Sequence, residues 1–491
     1  MFREAEMALS HGKLNKALRM LRKRFKHLKS SPETRGLIYG FPKADAICQE
    51  IGTRVVEETR KVGQAEVLPE EVGPALDVYL ASTLTETGGH TGLVGDLVRA
   101  SGNRKSHLLL TLTNGKTKNL TDEALSRTAI RRENIECCQE SSLLGKLKWL
   151  VSRLEELNAH RVFLLHHPDD VVAASAIVPS LANQFFFVHH ADDRPALGLH
   201  ASGTTHFDLT PFRYHYCRSW VGIGSNFYLP LTCPDRHARN PLDWKATPGI
   251  QTTASSGSPR KFSMEYRPDY AETVVCLLQA SAGRHVHIGT LSSAMLDQIH
   301  TLLDEAEIPR DRFHHVQQVE SLWQAMLEWE VDLYINSFPT PGARASVEVM
   351  GSGTPVLWHV RSEQSQYEDT HMAYPEAFCW KDLAELRQHV SQADAPWLVD
   401  QSCAARQQYE RLHNPKGWEQ IFAGATLGPE VSPPSFEDYQ AWSQSQRFRE
   451  QWEAYSLLRE RLGLRNPLEP ARSYGRVGRL FRALVSKLRV A

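Results

Sequence analysis

Apolar positions along this chain fall into two rhythms, and their alternation is its main structural signal. Short apolar runs at Ala75 to Ala81, His107 to Leu112, Arg161 to Leu165 and Gln184 to Val188 are bounded by polar or turn residues, as buried strands are. Segments long enough for a helix, such as Leu143 to Leu157, separate them. The rhythm breaks at Cys233 to Pro248, rich in Pro, Asp, Arg and Asn, which reads as an interdomain linker. It then resumes with strand signals at Ile250 to Ala254, His285 to Ile288, Phe313 to Val316, Asp332 to Ile335 and Pro355 to Trp358, interleaved with helical ones at Tyr270 to Ala280, Ser293 to Ala306 and Leu322 to Trp329. Two successive blocks of this kind predict an α/β protein with two tandem Rossmann-like domains.

The two ends follow a helical period. Leu14, Leu18, Leu21, Phe25 and Leu28 recur at spacings of three and four among Lys and Arg, and Val477, Leu480, Phe481, Leu484, Val485 and Leu488 form a similar stripe in a segment with no acid after Arg472. Basic amphipathic helices of this kind can lie on an anionic membrane surface, so peripheral membrane contact through both ends is expected. The predicted division is a helical N-terminal extension over 1–69, an acceptor-side domain over 70–245, a donor-side domain over 246–425 and C-terminal helices over 426–491.

With 491 residues, 41% of them hydrophobic, the chain can build more than one core. Lys and Arg total 56 against 57 acidic residues, so global charge gives no sign of a polyanionic partner, and nucleic acid is not expected. Eight scattered cysteines form neither a disulfide framework nor a CxxC pattern. The start is basic and polar, and no long apolar run follows; a cytoplasmic protein, on the inner face of a membrane if its ends bind one, is the expectation.

The densest local signal runs from Asp332 to Val356. An apolar strand ends in a Pro/Gly loop, Asn336-Ser-Phe-Pro-Thr-Pro341-Gly342, that opens directly into a helix, and Gly353-Thr-Pro precedes the next strand. A helix N-terminus offers unpaired N–H groups and the positive end of a dipole, and Gly342 lets a phosphate approach the backbone. Pro341, Gly342, Ala343, Arg344, Ala345 and Ser346 are therefore candidate anion-binding positions, with Glu348 placed to accept from ribose hydroxyls.

This segment resembles the donor-binding loop and helix of GT-B glycosyltransferases, closest to the catalytic region of O-GlcNAc transferase and related bacterial polysaccharide glycosyltransferases. Ala343 and Arg344 stand where the usual loop has a second Gly and a Thr. The resemblance implies two domains facing a cleft, a nucleotide-sugar donor (UDP-linked by analogy), a glycan, lipid-linked or protein acceptor in surface polysaccharide or glycoconjugate assembly, and no cofactor or catalytic metal. Four further stretches fit it. Gly88, Gly89, His90 and Thr91 follow the first strand, like the Gly-Gly loop that opens the acceptor side in such enzymes. His190 and Asp192 match a strand-end His-Ala-Asp signature of bacterial relatives. Ser256, Gly257, Arg260 and Lys261 resemble the Gly/Ser loop with a basic residue that neutralises the donor diphosphate, and Val316 falls where the nucleobase binds through backbone groups.

Several His near Asp between 166 and 208 also invite a metal reading, but strand ends at the mouth of a parallel sheet collect polar residues for substrates, and no metal is expected. For inversion, an acceptor hydroxyl needs a general base. His90 is the first choice, and His190 with Asp192 the second. Retaining relatives often carry a second glutamate eight residues before the donor-helix one; here that position is Thr340, which favours inversion. A sugar-nucleotide 2-epimerase on the same architecture, or a scaffold without catalysis, are the alternatives.

Overall fold

Continuous apolar runs flanked by polar turns become strands buried on both faces, the pattern of parallel sheets covered by helices. In the computed structural model, which describes residues 2–30, 38–62, 76–86, 89–113, 120–191, 194–241, 244, 249–361, 370–424 and 426–433, thirteen strands form two such sheets. The first contains β1 (Leu76–Ala81), β2 (Lys105–Leu110), β3 (Ile135–Cys137), β4 (Arg161–Leu165), β5 (Gln184–His189), β6 (Thr204–Asp208) and β7 (Asn226–Tyr228), in the order β3-β2-β1-β4-β5-β6-β7. The second contains β8 (Thr252–Ser256), β9 (Arg284–Ile288), β10 (Phe313–Val316), β11 (Leu333–Ile335), β12 (Val356–His359) and β13 (Cys379–Trp380), in the order β10-β9-β8-β11-β12-β13. Strand order reverses between β1 and β4 in one sheet and between β8 and β11 in the other. In doubly wound sheets the crevice outside the carboxyl ends of such a pair is where ligands bind.

The expected α/β plan is therefore present. The short strands β3, β6, β7 and β13 are additions to it. The helices Arg3–Ser10, Leu14–Ser30 and Pro42–Val62 cover one face of the first sheet, packing with Leu143–Leu157 and Val171–Ser175 on one hydrophobic core. This corrects one expectation: Leu14, Leu18, Leu21, Phe25 and Leu28 are buried in that core, so the apolar stripe of the first basic helix is turned to its own domain and not to a membrane. The corresponding stripe after Arg472 lies outside the described residues. Among the described residues, no helix is long and apolar enough to cross a membrane.

A second core runs across the interface, joining Leu93, Leu97 and Phe163 of the first domain to Val347, Met350 and Trp323 of the second. The chain then returns: the helix Pro415–Phe422 packs on the first domain, where Trp418 Nε1 donates to the Pro230 carbonyl at 2.7 Å and the Phe422 carbonyl accepts from Arg161 at 3.4 Å. Just before it, His413 Nδ1 lies 2.6 Å from the Leu231 carbonyl and Tyr409 OH donates to the Cys233 carbonyl at 2.9 Å.

Candidate active site

On the second domain the site is built where β8 and β11 end. Asn336, the residue after β11, accepts through Oδ1 from the amides of Ser337 and Gly342, each at 3.0 Å, which folds the Pro-rich loop back and sets Gly342 at the start of the helix Ala343–Gly351. The first-turn amides of that helix have no intrahelical acceptor. Lys261, carried by the loop after β8, meets the same point: a Cβ on Gly342 would sit 3.0 Å from Lys261 Nζ and 3.1 Å from Asn336 Oδ1. The Lys261 ammonium has no hydrogen-bonded or acidic partner among the described residues, and burial lowers its pKa to about 8. Asn336 Nδ2 is likewise buried without a partner among the described residues. A cationic group and an amide donor thus surround a helix N-terminus, and nothing among the described residues satisfies either.

The other predicted donor residues divide. Arg260 is exposed, unlike its neighbour Lys261. Ser256 Oγ is paired with Tyr334 OH at 2.6 Å, Ser346 Oγ donates to the Ala343 carbonyl at 2.7 Å, and the Val316 carbonyl accepts from the Gly289 amide at 2.8 Å. Pro341, Ala343 and Ala345 line the loop and first helical turn. At the neighbouring strand end, Gly257 and Gly289 press together: a Cβ on Gly289, whose φ is +130°, would lie 2.2 Å from the Gly257 carbonyl oxygen. Glu348 accepts from the backbone amides of Leu322 at 3.1 Å and Trp323 at 3.4 Å, capping the helix Leu322–Glu328, and its other oxygen stands 3.7 Å from Arg344 Nε. Arg344 itself reaches across to the first domain, where Nη1 donates to Asp96 Oδ2 at 2.5 Å. Burial opposes its charge, but Asp96 and Glu348 more than offset that and raise its pKa.

On the first domain the site lies where β1, β4 and β5 end. The helix Gly89–Ala100 starts with Gly89 and His90, and Thr91 Oγ1 accepts from the Thr85 amide at 2.9 Å, tying the preceding loop to it. Glycine leaves room along this helix for Arg344: a Cβ on Gly92 would come within 3.2 Å of Arg344 Nη2, and one on Gly89 within 3.3 Å of Arg344 Cδ. The predicted acceptor loop and the predicted donor helix therefore touch. Gly88 and Asp192 lie outside the described residues.

His90 and His190 are brought together, with ring centroids 4.7 Å apart, and His167 joins them 5.8 Å from His90. His90 Nε2 is 2.6 Å from the Leu165 carbonyl. A carbonyl only accepts, so Nε2 carries the proton and Nδ1 keeps its lone pair. Burial, chiefly, lowers the His90 pKa to about 4, the neighbouring His167 and His166 adding to the effect while the bond to Leu165 opposes it. Burial and then His90 push His190 well below the usual histidine value. Both rings are neutral near pH 7, the form a general base requires. Sequence reading missed His167 and Asn336 as site residues. Their signals were the strand-end position of the first and the Asn six residues before Gly342 of the second.

No family model matches the chain, and no curated protein matches it. Solved structures do. Anabaena HepE, crystallised with UDP and glucose, aligns over 71% of this chain and 98% of its own at 13% identity and a TM-score of 0.50. A glycosyltransferase from Rickettsia africae aligns over 76% and 98% at 10% identity and a TM-score of 0.52, and TarM over 73% and 99% at 9% and 0.50. The strand orders, the facing switch points and these likenesses together give the chain the GT-B fold, two Rossmann-like domains facing a cleft.

Proposed function

We propose that the protein is a glycosyltransferase that moves a sugar from a nucleoside diphosphate donor to an acceptor hydroxyl, with His90 as base and inversion at the anomeric carbon. The observation that carries this reading is the Lys261 ammonium, set without an acidic partner among the described residues beside Gly342 at the N-terminus of the helix Ala343–Gly351. A dianionic diphosphate supplies the missing counter-charge, and the first-turn amides add dipoles aimed at the same group.

In the reaction, the acceptor hydroxyl attacks the anomeric carbon while the bond from that carbon to the diphosphate oxygen breaks. The electron pair leaves on the diphosphate, where Lys261 and the helix amides stabilise the developing charge, the role a divalent ion plays in other transferases. His90 Nδ1 takes the hydroxyl proton. Leu165 holds the ring in the tautomer that permits this. The reading is metal-independent at the donor. Uridine is the first base to test, since HepE was crystallised with UDP.

An epimerase on this architecture would need carboxylates free to move protons in the cleft. Asp96 is instead held by Arg344 and by Arg99 at 2.7 Å, and Glu348 by backbone amides and Arg344, which favours transfer.

Thermal shift of the full chain against UDP, GDP, ADP and CMP tests the proposal, because a bound nucleotide stabilises by mass action. A nucleoside diphosphate should raise the Tm, and its sugar conjugate should then release the diphosphate in the presence of an acceptor. No stabilisation by any nucleotide would overturn it.

A further inference from the structure

On the face of the first sheet opposite the cleft histidines, a second group of side chains converges. His189 ends β5, His206 and Asp208 lie two apart on β6 and so share a face, and Cys217 opens the π-helical turn Cys217–Val221. The two strands pair in parallel with His189 opposite Asp208. All four residues are buried, and their potential ligand atoms lie within 4.8 Å of one another.

We propose that His189, His206, Asp208 and Cys217 bind a single zinc ion. Asp208 Oδ1 is 3.0 Å from His189 Nδ1 and 3.0 Å from His206 Nε2, the two nitrogens are 3.3 Å apart, and Cys217 Sγ is 3.7 Å from His189 Nδ1. Hydrogen bonds from both rings to Asp208 Oδ1 account for two of these contacts but not for the approach of the two nitrogens to each other or of Cys217 Sγ to His189 Nδ1. A ring nitrogen carries one proton at most, aimed in one direction, whereas His189 Nδ1 faces an oxygen, a nitrogen and a sulfur. Tetrahedral zinc, with Zn–N of about 2.0–2.1 Å and Zn–S of about 2.3 Å, places its ligand atoms roughly 3.3–3.6 Å apart. The observed spacings bracket that range.

The supporting shell points the same way. Asn226 donates to Asp208 Oδ2 at 3.0 Å and to the Tyr214 carbonyl at 2.8 Å, while its own Oδ1 accepts from Arg218 Nε at 3.0 Å. One carboxylate oxygen is thereby fixed and the other is turned to the cluster. Charge also balances: one carboxylate, one thiolate and two neutral imidazoles cancel a divalent ion, so the loaded site is neutral in a buried place. Binding replaces the S–H bond of Cys217 with an S–Zn bond and releases that proton to solvent.

Four protein ligands leave no open position, so the ion is structural. It joins β5, β6 and the turn after the helix Pro211–Tyr216, and it holds the strand end from which His190 reaches the cleft. The sequence reading expected no metal among the His and Asp residues between 166 and 208, and this ion departs from that expectation for His189, His206 and Asp208.

Untagged full-length protein from zinc-supplemented cells is expected to carry about one zinc per chain by mass spectrometry of the metal. Protein stripped with a chelator and titrated with cobalt(II) should develop the intense visible bands of a tetrahedral site and a near-ultraviolet thiolate-to-cobalt band. Cys217→Ser should lose the latter, while a Cys137→Ser/Cys138→Ser control keeps it. Less than about a tenth of an equivalent of zinc in the folded wild-type protein, with no cobalt spectrum, overturns the proposal. So does a thiolate band that survives Cys217→Ser. The wild-type measurements stand even if a variant fails to fold, which circular dichroism reveals.

Discussion

Arg344, in the first turn of the helix Ala343–Gly351 of the second domain, donates to Asp96 of the first domain at 2.5 Å, and it does so across helix positions kept clear by Gly89 and Gly92. The sequence placed Arg344 as a phosphate contact. Its position between Asp96 and Glu348 makes it a clamp between the domains.

Removing that clamp should weaken the fold more than it weakens donor binding. Arg344→Met leaves the nearly buried Asp96 carboxylate with Arg99 as its remaining ion pair, and the loss of a charged hydrogen bond is worth about 1–3 kcal/mol. Denaturant unfolding of Arg344→Met, Asp96→Asn and the double variant checks it. Strict additivity of the two single effects would show that the pair is not coupled.

Lys261→Met should weaken UDP binding by about one to two decades, the equivalent of roughly 1.5–3 kcal/mol for a charged contact, without loss of stability. The effect is tied to pH. With the unliganded amine near 8, below the ordinary lysine value, the ammonium is present at pH 7 before the anion arrives, while at pH 9 binding must first draw in a proton. Calorimetry should therefore find UDP about tenfold weaker at pH 9 than at pH 7. In Lys261→Met that difference should collapse to the ligand's own titration. Equal dependence in both proteins would place the diphosphate elsewhere.

For His90→Asn, turnover is expected to fall by about two to four decades with donor affinity nearly unchanged. The His90 ring is neutral above about pH 4, so the acid limb of kcat/KM should lie near 4 and not at the ordinary histidine value. If His190→Asn alone shows the loss, the base is His190.

Gly289→Ala tests the close packing of the β8 and β9 loops. Its Cβ would stand 2.2 Å from the Gly257 carbonyl oxygen at a positive φ, so a cost of about 2–4 kcal/mol is expected from thermal or urea unfolding. A change within about 0.5 kcal/mol would mean the two loops separate freely.

What could be read ahead of the structure follows from how local each signal is. The strands β1, Leu-Asp-Val-Tyr-Leu-Ala, and β4, Arg-Val-Phe-Leu-Leu, are largely apolar runs whose pattern is complete within themselves. By contrast β6, Thr-Thr-His-Phe-Asp, is too short and polar to be called from sequence, because its stability comes from its partners β5 and β7. Lys261 was legible as a basic residue in a Gly/Ser loop. Glu348 was legible as a carboxylate on the helix after the Pro/Gly loop, but not its caps on Leu322 and Trp323, which belong to a neighbouring element. The stripe from Leu14 to Leu28 shows why amphipathicity does not name the surface it meets: the same face that could enter a bilayer is filled by the protein's own core. Only His206 and Asp208 share a local spacing, and three separate elements bring them together with His189 and Cys217.

The return of the chain to its first domain has a mechanical meaning. The outgoing segment at Pro230, Leu231 and Cys233 is bonded to the returning one at Trp418, His413 and Tyr409, so the two covalent crossings run side by side instead of at opposite edges. Two lobes joined along one such seam are constrained like a door on its jamb: rotation about the seam keeps its hydrogen bonds, while sliding or twisting apart would break them. Rotation about that seam would return the helix Ala343–Gly351 to the same place beside the helix Gly89–Ala100, so the register between the two domains is inherited from the seam.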